Sequence, residues 1–70
     1  MDSKLIARLI ELIEQDIARI EQYIAWARTD FDHVDANDVK GQDRIVTAIA
    51  VNMRELAKLK EERHNWIMKG

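Results

Sequence analysis

The chain has 70 residues, 34% of them charged and 47% hydrophobic, with no cysteine, no proline and a formal net charge of −2. That length makes one small domain, 1–70, whose core needs support from disulfides, a metal or a partner, and the lack of cysteine excludes disulfides and thiolate metal sites. The net charge is too small to demand a polyanionic partner. Charges interrupt every apolar run before the roughly 18 residues of a membrane span. No segment has the order of a signal peptide, so a soluble, cytoplasmic protein is expected.

The first element, a helix over about 3–29, is written in isoleucine. Ile6, Ile10, Ile13, Ile17, Ile20 and Ile24 recur at alternating steps of four and three, and Ala27 and Phe31 continue the series. A spacing averaging about 3.5 keeps these side chains on one seam that packs against another helix. Asp2 or Ser3 supplies the N-cap. A second apolar row runs beside the seam through Leu5, Leu9 and Leu12, and past Asp16 and Arg19 it is extended by Tyr23 and Trp26.

An acidic turn follows over about 30–38, rich in turn and capping residues and closely followed by Gly41. Asp38, alone or with Asp35, is placed to cap a second helix, where its charge suits the positive end of the dipole. That helix runs over about 39–69 and Gly70 ends it. Ile45, Ile49, Asn52, Leu56, Leu59, Arg63 and Trp66 lie on its stripe, flanked by Val46, Met53 and Ile67. An interior asparagine such as Asn52 fixes register and partner number at some cost in stability. Asp16 could meet Asn52 or Arg19 across an interface.

Two long helices joined by a short turn make an antiparallel hairpin. One partner helix covers one stripe, so the leucine row needs a further surface, and isoleucine at both heptad core positions favours three or four strands over two. The expected fold is therefore all-α: an antiparallel two-helix hairpin assembling into a homodimeric four-helix bundle. In length, helix count and its aspartate-rich turn, Asp35-Ala36-Asn37-Asp38, this hairpin resembles the Rop family of plasmid proteins. Those proteins dimerise into bundles and bind paired RNA loops through one bundle face. The resemblance is one of architecture, and no RNA-contacting residue carries across.

The charges are unevenly placed. Residues 29–43 hold Asp30, Asp32, Asp35, Asp38 and Asp43 against Lys40, whereas residues 44–70 hold Arg44, Arg54, Lys58, Lys60, Arg63 and Lys69 against Glu55, Glu61 and Glu62. In a hairpin the basic end of helix 2 adjoins Lys4 and Arg8, and the acidic turn lies at the other end. Arg54, Lys58, Arg63, His64 and Lys69, with Trp66, are thus the candidate anionic-ligand patch, since cations beside an aromatic suit phosphate contact and base stacking. The competing reading pairs Lys58 with Glu55, Glu61 or Glu62 at helical spacing, and packs Trp66 against Leu5 and Leu9.

Three other patterns carry less. Glu61-x-x-His64 has the spacing of a helix that serves a di-metal centre, but both residues lie beside the core stripe. Asp30-x-Asp32 and Asp35-x-Asn37 offer alternating oxygens, yet neither register provides the glycine and glutamate of a calcium loop. Arg28-Thr29-Asp30-Phe31-Asp32-His33 has an arginine and a histidine separated by four residues, which resembles the active motif of HEPN-type ribonucleases. That resemblance implies phosphate binding by Arg28 and assistance to ribose attack by His33, although two flanking aspartates would repel the phosphate. No catalytic residue, cofactor or metal is expected. The expected function is that of a non-enzymatic adaptor, regulator or inhibitor that binds itself and another protein, in a setting that suits a phage or mobile element. RNA or nucleotide binding by the basic end of helix 2 is the alternative, and a HEPN-like ribonuclease the second alternative.

Overall fold

The computed structural model describes residues 2–69. It is an all-helical hairpin in which α1, Ser3–His33, and α2, Val39–Lys69, pack against each other along their length. The expected terminating role of Gly70 lies outside the described residues. At 31 residues, each helix is about 46 Å long, and the molecule is a rod of 55 × 14 × 11 Å.

Of the two expected caps on α1, Asp2 serves. Its Oδ1 accepts from the Lys4 N–H at 2.9 Å, which satisfies one of the orphan donors, and its carbonyl accepts the first i→i−4 bond of the helix, from the Ile6 N–H at 3.1 Å. At its other end α1 runs one turn further than the expected boundary near residue 29. Thr29, Asp30, Asp32 and His33 are exposed there, so helix formation buries none of their charge. The Thr29 hydroxyl and the His33 Nδ1–H also donate to the carbonyls four residues back, those of Ala25 and Thr29. The helix stops at Val34, whose backbone is extended and whose N–H donates to the Phe31 carbonyl at 3.2 Å.

The true connector, residues 34–38, is held by its own side chains. Asp35 Oδ1 accepts from the Asn37 N–H at 2.8 Å, and Asp38 Oδ1 accepts from the Gly41 N–H at 2.9 Å. Gln42 Nε2 reaches back to the carbonyls of Asp35 and Ala36 at 3.2 and 3.1 Å. Asp38 is therefore the cap of α2, and Asp35 shapes the turn before it. Gly41 makes room for this arrangement, because a Cβ there would overlap the Asp38 carboxylate.

The seam follows the isoleucine series. Ile6, Ile13, Ile17, Ile24 and Ala27 are buried, Ile10 and Ile20 are half-buried, and Phe31 stays exposed. On α2 the stripe Ile45, Ile49, Asn52, Leu56, Leu59, Arg63 and Trp66 faces inward but is only half-buried, and no described residue of that helix is buried. The accessible surface is 5570 Å², where a compact monomer of 8.2 kDa exposes about 4,500 Å². The radius of gyration is 16.2 Å, against about 11 Å for a compact chain of this length.

Two stability predictions follow from the seam and the turn, both read by urea denaturation at fixed protein concentration. Ile17→Ala, at a site only 4% exposed, costs about 3 kcal/mol, while Val51→Ala on the surface costs under about 1 kcal/mol. Asp38→Ala costs about 1 kcal/mol. Gly41→Ala stabilises the Asp38→Ala variant through helix propensity but gives less or nothing in the parent, where the new methyl displaces the capping carboxylate.

Candidate functional site

The seam divides the surface of the hairpin into two long faces. On one, α1 presents the second apolar row: Leu5, Leu12, Tyr23 and Trp26 are 52, 43, 47 and 63% exposed, and Leu9 is half-buried. Between the leucines and the aromatics lie Asp16 and Arg19, joined at 2.8 Å. α2 adds Ala48, Val51 and Trp66 to this side. Near the turn the face deepens into an open groove of about 200 Å³ lined by Tyr23, Ala27, Asp30, Arg44, Ile45 and Ala48.

The opposite face carries two adjoining grooves that share Arg28. One, of about 330 Å³, is lined by Arg28, Phe31, Asp32, Val46 and Ile49, and the other, of about 230 Å³, by Glu21, Ile24, Ala25, Arg28, Met53 and Leu56. Val46 and Met53 are about half exposed. These grooves were not among the sequence candidates. Their signal was present as the three-then-four spacing of Val46, Ile49 and Met53, read from sequence only as a flank of the core stripe.

The candidate anionic-ligand residues do not share one face. Arg63 lies half-buried on the stripe facing α1, whereas Arg54, Lys58, His64 and Lys69 are exposed. Nine residues separate Arg54 from Arg63, about two and a half turns, so they point to opposite sides of α2. Lys58 and Lys69 are about three turns apart and fall near the line of Arg54. The Lys69 ammonium sits 5.0 Å above the half-buried Trp66 ring, a cation–π contact. Among the described residues the ion pairs are Arg8–Glu11 at 2.9 Å and Arg19–Asp16. Both lie on α1, so the expected pairing of Lys58 with Glu55, Glu61 or Glu62 does not form.

The remaining chemical candidates stay apart. Arg28 lines the grooves, while His33, five residues on, points well around the same helix and donates from Nδ1 to the Thr29 carbonyl at 2.8 Å. The two therefore do not converge within one chain. No group of three or more His, Cys, Asp or Glu side chains among the described residues can hold a metal ion, and the turn aspartates Asp35 and Asp38 are engaged as caps. No described helix is long and apolar enough to cross a membrane.

Asn52 is half-buried, and its Nδ2 donates to the Ala48 carbonyl of its own helix at 2.7 Å, while Asp16 turns to Arg19. No family model, curated protein or solved structure matches the chain.

Because the Asn52 amide is satisfied within α2, Asn52→Leu leaves no polar group unpaired. It raises stability by about 1 kcal/mol. Thermal denaturation at fixed protein concentration reads the effect.

Proposed function

We propose that this protein is a non-enzymatic interaction module: a hairpin that self-associates as a homodimeric four-helix bundle and binds another protein through the surface left free. The observation that carries this reading is the excess of exposed surface. The hairpin exposes about 1,000 Å² more than a compact monomer of its mass, and each partner in a standard interface buries about 800 Å². Exposed apolar side chains lie on both faces, Leu5, Leu12, Tyr23 and Trp26 on one and Phe31, Val46 and Met53 on the other, and clustered exposed apolar side chains mark interaction sites. A second copy covers one. The grooves around Phe31, Val46 and Met53 remain for a partner that inserts apolar side chains, with Glu21, Arg28 and Asp32 supplying a polar rim.

The runner-up is binding of RNA or a nucleotide. It is favoured by Arg54, Lys58 and Lys69, which share the outer side of α2 and have no ion-pair partner among the described residues. Phosphate binding of this kind weakens steeply with added salt, whereas apolar association does not.

Sedimentation equilibrium is expected to return twice the 8.2 kDa chain mass, and a monomer at all concentrations would remove the bundle. Protein purified from its native host is expected to carry a second polypeptide that Met53→Asp releases without changing the dimer mass. Co-purifying nucleic acid that 0.5 M salt strips away would favour the runner-up instead.

A further inference from the structure

The row beside the seam on α1 is symmetric in spacing and complementary in chemistry. Its members Leu9, Leu12, Asp16, Arg19, Tyr23 and Trp26 are separated by three, four, three, four and three residues. The series is therefore symmetric about the point between Ile17 and Ala18, beside Ala18 at the middle of Ser3–His33. On one side of that point stand an acid and then leucines, and on the other a base and then aromatics.

We infer that a second copy of this chain seats on the row antiparallel to the first, with a two-fold axis crossing α1 between Ile17 and Ala18. The inference rests on the self-association proposed above and specifies its geometry. An isologous interface requires that if residue i meets residue j, then j meets i. With the axis at that point, Asp16 meets the partner copy's Arg19, Leu12 meets its Tyr23 and Leu9 meets its Trp26, and each pairing recurs by symmetry. At the ends, Asp30 of one copy comes level with Leu5 of the other, in the neighbourhood of Arg8.

The parallel alternative puts Asp16 on Asp16 and Arg19 on Arg19 at the centre of the face, and like charges in contact disfavour it. It also places the aspartates of residues 29–43, opposed there by Lys40 alone, beside their own copies. The antiparallel arrangement brings that acidic end against the end where Lys4, Arg8, Lys58, Lys60, Arg63 and Lys69 outnumber Asp2, Glu11, Glu61 and Glu62. The exposures fit as well, since Leu12, Tyr23 and Trp26 are each more than two-fifths exposed in the single hairpin. The side chain of Arg19 is 77% exposed, free to exchange its own Asp16 for the partner's.

The chain contains no cysteine, so introduced thiols report without background. A nitroxide on Asn37→Cys, in the turn, is expected to give an electron–electron distance of about 50 Å, twice the half-length of the rod. The double variant Leu12→Cys/Tyr23→Cys is expected to oxidise to a covalent dimer. Each single variant should stay uncrosslinked, because identical positions lie about 16 Å apart along the axis and a disulfide cannot span that gap. A label distance under about 20 Å in a protein of dimer mass overturns the antiparallel orientation. A long distance in a dimer whose double variant does not crosslink overturns the axis position. Absence of dipolar coupling in a protein that sediments as a monomer overturns the self-association itself.

Discussion

Two cylinders laid side by side touch along one line, and the organisation of this protein follows from that limit. A helix in a hairpin has only its neighbour to bury against, so the contact covers a single stripe on each. Here the covered stripe is the isoleucine seam of α1, with Ile6, Ile13, Ile17 and Ile24 taken almost wholly from water. Everything else apolar is displaced to the flanks. The leucine–aromatic row on one side and the Val46–Met53 grooves on the other are consequences of giving a 70-residue chain more apolar side chains than one line of contact can hide.

The seam was legible in the sequence because helical periodicity is a physical readout: side chains that must share a face must recur at three and four. The same logic placed the α2 stripe from Ile45 to Trp66, while the capping role of Asp38 was legible from residue type, a short carboxylate just ahead of a helix. What composition obscured was the end of α1. Aspartate-rich sequence reads as turn, yet Phe31 stands four residues beyond Ala27 and keeps the helical phase, while Asp30 and Asp32 on either side of it face solvent at no cost. Local turn preference lost to the continuation of the periodic pattern. The depth of burial was not legible either, since periodicity says which way Leu56 and Leu59 point but not how much of them the neighbour covers.

The basic patch illustrates a different limit. Closeness in sequence on a helix is not closeness in space, and a handful of cations within a few turns distributes itself around the cylinder. Arg63 fell on the inner stripe and Arg54 on the outer side for that reason alone. Asn52 and Asp16 show the complementary effect. Both were candidates for long-range polar contacts, and both are satisfied within their own helix, at Ala48 and Arg19. Short polar side chains on a helix find the turn above or below first.

The connector has a kinetic meaning beyond its architecture. All of its polar contacts, from Asp35 to Gln42, join residues at most seven apart, so the bend can be organised before any pair of isoleucines has met across the seam. Closing so short a loop costs little entropy, and each further contact between α1 and α2 extends a register the bend has already chosen. The register of the whole seam, from Phe31 and Ile45 outward to Leu5 and Trp66, is thus anchored at a bend held by its own side chains.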